Sequence, residues 1–409
     1  MRILAVSYML PPALYPQAIQ VGRLLAHCGG EIGAVCGALG GGAALDQDFG
    51  LNARLVFRLE IPFRPMLSGL ASSIARRFLP FYASIPDEFR AWVRRAEAAV
   101  LAELQRSRFA PDLMVTFGEP MSDHLLGLRL AAKLDLPWVA HFSDPWSDNP
   151  FRRHNVLANV VNRRLERRVI ANADRLVFTS RETVNLVMSK YSKEWRQKCS
   201  VLPHSFDQAL YPARAPHGPK LVVRHLGNFY GHRTPLPLFR ALHAILRDQP
   251  DALRDFRFEF IGRVPAWVRY HRAFRNLPSE LVQLVPAIPY SESLKLMSES
   301  DLLLVIDGPA DLSVFLPSKL IEYVGAGIPI CGIVPPGTSA NLLRRLGGLA
   351  ADPRNTEEIA ETLMNSLRLA RERRAQSALP PWGDPEVRAE FAVEHVASDF
   401  EAILADAVQ

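Results

Sequence analysis

Short apolar runs alternate with helical patterns along most of this chain of 409 residues. Two of these runs, Ile3–Val6 and Leu302–Ile306, are continuous stretches of aliphatic residues without polar alternation. Such runs are typical of strands that are buried on both faces of a parallel sheet. Parallel neighbours must be joined by crossover segments, which are usually helices. The alternation therefore predicts an α/β fold built on doubly wound parallel sheets.

The chain is long enough for two domains of about 200 residues each. A Pro/Ala/Gly-rich stretch, 211–219, separates the predicted strands into two groups. We therefore predict one domain over 1–212 and a second over 213–385, followed by a single helix in 386–409. The predicted strands lie near 2–7, 32–36, 54–58, 112–116, 137–142, 175–179, 199–203, 221–226, 256–261, 282–285, 301–306, 328–334 and 348–351.

Composition narrows the class of protein. Hydrophobic residues make up 48% of the chain and charged residues 22%, as in globular proteins, and no apolar run approaches the roughly 18 residues of a membrane span. The net charge of +6 comes mainly from arginines without interleaved aromatic motifs, which argues against nucleic-acid binding. An immediate N-terminal strand and four scattered cysteines predict a cytoplasmic protein without a signal peptide or structural zinc.

The segment from Asp307 to Ile330 contains the strongest chemical signal. The predicted strand before Asp307 leads through a Gly/Pro-rich loop into a predicted helix at 317–326, with Lys319 and Glu322 on one face. Backbone N–H groups at a helix N-terminus and a lysine suit a diphosphate, and a carboxylate suits the hydroxyls of a ribose. The alternative is an ordinary strand–loop–helix in which Ser318 is a plain cap and both charged groups are solvated.

Residues 317–329 resemble the donor-site motif P-S-K-L-x-E-Y-x-A-x-G-x-P of GT-B glycosyltransferases in family 4. The resemblance implies two Rossmann-like domains facing across a cleft. The acceptor would bind the N-terminal domain, the nucleotide sugar would bind the C-terminal domain, and the last helix would cross back onto the first domain. It places five residues around the donor, namely Pro317, Ser318, Lys319, Leu320 and Glu322.

Other segments extend the resemblance but depart from it in detail. The family carries G-R-x-x-x-x-K-G after the first strand of the donor domain. Here Gly227 is followed by Asn228 in the place of the arginine, and Arg233 stands in the place of the lysine. An arginine retains the charge and adds bidentate geometry, whereas Asn228 loses one cation.

Three further positions leave alternatives open. Glu322 matches the last residue of the family's E-x7-E pattern, but the first would fall on Val314, and Asp311 is the nearest carboxylate that might replace it. Arg263 ends the next predicted strand and faces either the phosphates or solvent. Ile288 belongs to a segment that resembles the one whose backbone contacts the nucleotide base.

The predicted strand at 137–142 leads into a second recognisable string. Residues 141–150 resemble D-F-R-D-P-W-x-x-N-P, a string of bacterial polysaccharide glycosyltransferases, with His141 and Ser143 departing from it. His141 and Asp144 lie at a strand's C-terminal end, so either would polarise an acceptor hydroxyl or support the donor sugar. The alternative is a packed histidine and a capping aspartate.

The apolar, aromatic and basic segment 63–82 contains no acidic residue. It suits either peripheral contact with the inner membrane surface or a flap over the acceptor site.

Together, these resemblances imply a retaining glycosyltransferase of cell-surface polysaccharide biosynthesis. It would use a nucleotide-diphosphate sugar and a carbohydrate, lipid-linked or small-molecule hydroxyl acceptor, with no cofactor or metal ion. The predicted catalytic residues are His141, Asp144, Arg233 and Lys319. A non-catalytic nucleotide-sugar-binding subunit is the main alternative, and an epimerase of the same fold is a weaker one.

Overall fold

The structure is a computed structural model that describes residues 1–38, 45–63, 85–151, 156–213, 218–376 and 380–409. Of the predicted membrane or flap segment 63–82, only Phe63 lies within these ranges, and residues 64–82 lie outside them. The chain divides into two compact units. The N-terminal unit comprises Met1–Pro203 and Glu394–Gln409, and the C-terminal unit comprises His204–Val393.

The N-terminal unit is built on a sheet in which every pairing is parallel. In spatial order its strands are β3 (Leu55–Ile61), β2 (Glu31–Gly37), β1 (Arg2–Val6), β4 (Leu113–Gly118), β5 (Trp138–Phe142), β6 (Arg175–Phe178) and β7 (Cys199–Val201). The winding direction reverses between β1 and β4, where Val6 is level with Thr116. Such a switch point opens a crevice beyond the carboxyl ends of the strands.

The C-terminal unit repeats this plan with an all-parallel sheet of its own. Its spatial order is β10 (Val282–Val285), β9 (Phe256–Ile261), β8 (Leu221–Leu226), β11 (Leu302–Ile306), β12 (Ile330–Ile333) and β13 (Leu349–Ala351). The switch point lies between β8 and β11. The predicted α/β architecture with two parallel sheets is thus confirmed.

Helices cover the sheets wherever the chain crosses between strands. In the N-terminal unit they are α1 (Pro16–His27), α2 (Leu51–Arg54), α3 (Arg90–Ser107), α4 (Ser122–Leu134), α5 (Val156–Asn172), α6 (Arg181–Met188) and α7 (Lys193–Arg196). The C-terminal unit has α8 (Leu236–Asp248), α9 (Ala266–Tyr270), α10 (Arg272–Arg275), α11 (Tyr290–Ser298), α12 (Ser318–Ala326), α13 (Thr338–Arg345), α14 (Thr356–Arg374) and α15 (Pro385–Ala389). Among the described residues, no helix has the length and apolar character needed to cross a bilayer.

The predicted single helix in 386–409 is wrong, because the chain forms α15 and then a separate helix α16 (Val393–Val408). Between them, the backbone pairs with Phe206, whose N–H donates to the Phe391 carbonyl at 2.9 Å. The N–H of Val393 donates to the Phe206 carbonyl at 2.8 Å. This bridge satisfies backbone groups outside the helical pattern and therefore separates the two helices.

The core of the N-terminal unit shows why both faces of its sheet must be covered. Successive residues of β1 point to opposite faces. Leu4 and Val6 pack into the cluster that contains Trp92 and Trp138. The opposite face joins α1 and α16 to the sheet, through residues that include Ile3, Ala5, Leu25, Val396, Phe400 and Leu404.

Residues 204–212 belong to the C-terminal unit, so this unit begins before the predicted boundary at 212. The backbone bridge at Phe206 accounts for part of this placement. Tyr211 accounts for the rest, because its hydroxyl donates to the Glu322 carbonyl at 2.8 Å.

Candidate functional site

Three charged side chains meet at the switch point of the C-terminal unit. Arg233 lies in the loop that follows β8, Asp307 directly follows β11, and Lys319 lies in the first turn of α12. Two cations and one carboxylate leave a net positive charge at the strand ends. This position and this charge suit an anionic ligand.

Arg233 and Asp307 form a buried ion pair. Nε and Nη2 of Arg233 donate to Asp307 Oδ1 at 2.9 and 2.7 Å, and Nη1 donates to the Tyr230 hydroxyl at 2.9 Å. Burial opposes the charge of Arg233, but Asp307 outweighs it and raises the pKa of the guanidinium. Asp307 Oδ2 is buried and has no hydrogen-bond partner among the described residues. The pair therefore holds the guanidinium in one orientation and leaves an acceptor available in the site.

Lys319 occupies an environment that disfavours its ammonium form. Its Nζ lies 3.4 Å from His225 Nε2, while His225 Nδ1 donates to the Leu304 carbonyl at 2.9 Å. Burial and the charge of Lys319 keep the pKa of His225 well below its usual value, so the ring is neutral and Nε2 accepts. Burial and Arg233 lower the pKa of Lys319 to about 7, against the opposing effect of Asp307. An arriving anion would reverse this and stabilise the charged lysine.

Gly227 lets Lys319 approach the backbone. Its backbone φ of +134° is one that residues with a side chain rarely adopt, and a Cβ at this position would lie 2.7 Å from Lys319 Nζ. The loops after β8 and β9 are also joined, because the Arg263 N–H donates to Asn228 Oδ1 at 2.8 Å. Asn228 thus has a structural role at the position where the family carries an arginine.

Helix α12 begins at Ser318 with Pro317 as its N-cap residue, so Ser318 is not the cap. It ends at Ala326 and is followed by the C-cap residue Gly327, which adopts a left-handed φ of 64°. Within the helix Glu322 is buried, and its Oε2 accepts from the Tyr211 hydroxyl at 2.8 Å. The reading in which Lys319 and Glu322 are solvated does not fit these contacts.

The remaining predicted donor residues have distinct environments. Leu320 is buried, Pro317 and Ile288 are partly buried, and the Arg263 side chain is exposed. Position 314, where the family carries the first glutamate, holds a buried valine. The nearby Asp311 pairs with Arg354 at 2.8 Å.

The switch point of the N-terminal unit carries a separate group of polar residues. His141, on β5, is buried, and its Nδ1 has no hydrogen-bond partner among the described residues. Burial lowers its pKa to about 4, so the ring is neutral at neutral pH. Two residues further along the chain, the Ser143 hydroxyl donates to Gln17 Oε1 at 2.6 Å. A neutral imidazole with an unused nitrogen is suited to exchange a proton with a bound hydroxyl.

Only part of the 141–150 string has the character of a site. Asp144 is partly buried beyond β5. In contrast, Trp146 lies in the core, and its Nε1 donates to Asn162 Oδ1 at 3.0 Å. Asn149 accepts from the Phe151 N–H at 3.0 Å and thereby closes a turn. Trp146 and Asn149 hold the loop, whereas His141 and Asp144 remain candidates for chemistry.

Sequence reasoning missed Asp307 and His225 as site residues. Each has a signal that is visible in retrospect, since Asp307 follows a buried strand directly and His225 lies within one. A third omission is His124, whose Nδ1 lies 2.8 Å from Thr116 Oγ1 beneath the N-terminal switch point. Burial and His141 lower its pKa to about 3.

Comparison with known proteins places this geometry in context. Residues 18–203 match the model of the family described as "Glycosyl transferase 4-like domain". No curated protein matches the sequence.

Solved structures match over nearly the whole chain. Anabaena HepE in complex with UDP-glucose has a TM-score of 0.67 at 14% identity and covers 99% of this chain and 100% of its own. Sucrose-phosphate synthase from Thermosynechococcus elongatus has a TM-score of 0.68 at 15% identity, with 99% and 98% covered. A Listeria monocytogenes protein assigned as a UDP-N-acetylglucosamine 2-epimerase has a TM-score of 0.61 at 14% identity, with 99% and 96% covered.

At these identities, the structural matches establish the fold. The family match covers residues 18–203 and therefore lies within the N-terminal unit. The chain thus has the GT-B fold, and residues 18–203 of its N-terminal unit are similar to the glycosyl transferase 4-like domain.

Proposed function

We propose that this protein transfers a sugar from a nucleotide-diphosphate sugar to a hydroxyl acceptor. The observation that carries the proposal is the cluster of Arg233, Asp307 and Lys319 at the switch point of the C-terminal unit. Its two cations supply the charge that a diphosphate requires. Gly227 has no Cβ and therefore leaves space beside Lys319 Nζ. UDP-glucose in the structure of Anabaena HepE supports this choice of ligand class.

In the finer form of this proposal, the reaction retains the anomeric configuration by a front-face route. Arg233 and Lys319 would stabilise the departing diphosphate electrostatically, and Glu322 would hold the ribose. We propose that these cations replace a divalent ion and that no cofactor is needed. His141 and Asp144 in the N-terminal unit are the candidates to polarise the acceptor hydroxyl or support the donor sugar.

The acceptor proposal follows from the resemblance of 141–150 to bacterial polysaccharide enzymes. We propose a carbohydrate or lipid-linked acceptor in cell-surface polysaccharide biosynthesis, with a cytoplasmic enzyme that contacts the inner membrane peripherally through 63–82.

The first experiment measures thermal stabilisation by UDP-, GDP-, ADP- and dTDP-sugars in the presence of EDTA. We expect the nucleotide sugars of one base to raise the unfolding midpoint. We also expect the protein to hydrolyse one of them slowly to the free nucleoside diphosphate. The Lys319→Met and Glu322→Gln variants should each lose the shift. Lys295→Met is the matched control, because this lysine is exposed at the side of α11. A panel without any shift would contradict the proposal.

Two observations favour a non-catalytic nucleotide-sugar-binding subunit as a second candidate. Asn228 is engaged with the Arg263 backbone, and Val314 is buried at the position of the first family glutamate. Midpoint shifts without product, for any acceptor and without hydrolysis, would favour this candidate. Conversion of the free nucleotide sugar into its epimer would instead identify an epimerase. The Listeria protein named as an epimerase shares the fold of this chain.

A further inference from the structure

Helix α5 exposes a stripe that changes from apolar to basic along its length. Residues about one turn apart share a face of a helix. The exposed residues of the first two turns are Val156, Leu157, Val160 and Val161, and those of the next two turns are Arg163, Arg164, Arg167 and Arg168. Glu166 is the only acidic residue of the helix, and it is buried. The stripe is therefore purely apolar and then purely basic.

Buried polar contacts determine which side of α5 faces outward. Asn162 accepts from Trp146 Nε1 at 3.0 Å. Glu166 accepts from the Ser147 N–H at 2.8 Å and from the Tyr191 hydroxyl at 2.7 Å, and it pairs with Lys190 at 2.7 Å. Rotating the helix to hide the apolar stripe would break this network and leave Glu166 unpaired. The exposure of the stripe is thus a property of the native packing.

The degree of exposure sets this patch apart from ordinary surface. Val156 is 80% exposed and Leu157 is 65% exposed. Single apolar side chains on a surface are common, but a contiguous exposed group marks a place of contact. The basic half adds a requirement for negative charge. Arg164 and Arg168 have no side-chain partner within the described part of the chain, whereas Arg163 pairs with Asp148 at 3.3 Å.

We propose that this stripe of α5 docks onto an anionic lipid bilayer. Val156 and Arg164 are eight positions apart, about 12 Å along a helix axis, so a tilted helix would place its two halves at different depths. The apolar half would enter the boundary of the acyl chains, and the guanidinium groups would reach lipid phosphates at the level of the headgroups. This inference does not depend on the proposed sugar transfer, and it assigns to α5 a membrane contact separate from the one proposed for 63–82.

The test is co-sedimentation of the full chain with vesicles of phosphatidylcholine alone and with 30% phosphatidylglycerol, without nucleotide. We expect binding to the anionic vesicles that weakens as salt is raised. Two double variants address the two halves separately: Val156→Ser with Leu157→Ser, and Arg164→Glu with Arg168→Glu. Each should weaken binding at least tenfold, because the apolar and electrostatic contributions are both required.

The matched control is Arg240→Glu with Arg368→Glu, which reverses two exposed charges on α8 and α14 of the C-terminal unit. Its binding should stay within twofold of the parent protein. Circular dichroism of all variants tests whether they fold, as we expect because every substituted residue is exposed.

Absence of binding to anionic vesicles would overturn the proposal, as would α5 variants that bind like the parent. A dimer in the absence of lipid that Val156→Ser with Leu157→Ser dissociates would overturn it in favour of a second copy.

Discussion

Lys319 combines a positive charge with an environment that disfavours it. The protein has only seven lysines, and this one contacts a neutral histidine within reach of Arg233. Without a ligand, the ammonium group of this lysine lacks a bound anion that would compensate its charge. Its charge becomes favourable when an anion replaces the solvent that burial has removed.

Binding of the nucleotide sugar should therefore be coupled to proton uptake by Lys319. Its pKa is about 7 in the free protein, and a bound diphosphate would raise it. Above pH 7, the complex consequently takes up a proton, and affinity falls as pH rises, by up to tenfold per unit. Calorimetry in two buffers with different ionisation enthalpies measures this uptake. The diphosphate of a nucleotide sugar is esterified at both ends, so the ligand itself does not take up a proton in this pH range.

The Lys319→Arg variant is the control, because arginine stays protonated. It should bind without proton uptake. An unchanged uptake in that variant would assign the proton to another group.

Asp307 should stabilise the ligand-free protein through Arg233. Replacing Asp307 with Asn leaves a buried guanidinium without its countercharge, which costs about 3–5 kcal/mol when one partner of a buried pair is removed. We expect the urea midpoint of the C-terminal unit to fall accordingly. Removing both charges with Arg233→Met and Asp307→Asn should cost less than the sum of the two single changes. Simple additivity would show that the pair is not coupled.

Individual elements differ in how well a sequence indicates them. Strands such as Phe256–Ile261 and Val282–Val285 were predicted with their observed bounds, because apolar residues recur there at every second position, which is the period of a strand. The short helices Ala266–Tyr270 and Arg272–Arg275 were missed, because one turn carries too little periodicity. The break between α15 and α16 depends on pairing with Phe206, which is distant in sequence.

The same limit applies to the site. Lys319 and Glu322 were recognised because one helix brings them together, and the motif is continuous in sequence. The pairing of Arg233 with Asp307 joins residues that are distant in sequence and depends on β8 lying beside β11. Local pattern does not encode that adjacency, so the role of Asp307 became visible only in the folded unit.

Helix α16 should be essential to the N-terminal unit despite its position at the far end of the chain. Phe400 is fully buried and lies 6.2 Å from Phe117, centroid to centroid. The Phe400→Ala change should lower the free energy of unfolding of this unit by about 3–5 kcal/mol. Urea denaturation measures the loss. Asp399→Ala, at an exposed neighbour on the same helix, should change it by less than about 0.5 kcal/mol.

At the scale of the whole molecule, the two units differ in how the chain builds them. The C-terminal unit is one continuous segment, whereas the N-terminal unit joins Met1–Pro203 to Glu394–Gln409. Each contains its own sheet and core clusters. Independent folding is therefore expected of one continuous segment and not of the other.

We expect residues 204–393, produced alone, to fold and to bind the same nucleotide sugar as the full chain. Residues 1–203 alone should lack cooperative unfolding, because Val396, Phe400 and Leu404 complete their core. Adding a peptide of residues 394–409 should restore it. Heteronuclear spectra of both segments provide the measurement, and well-dispersed signals from 1–203 without the peptide would contradict the expectation.

The placement of α16 also governs the order of events during translation. The ribosome makes the strands of the N-terminal unit first, yet the helix that closes one face of their sheet follows only after the whole C-terminal unit. At 5–20 residues per second, the intervening segment takes about 10–40 s to synthesise. During that interval, the nascent sheet presents uncovered apolar surface, a natural binding site for a ribosome-associated chaperone. Slower elongation within 204–393 should therefore increase the dependence of folding yield on chaperones.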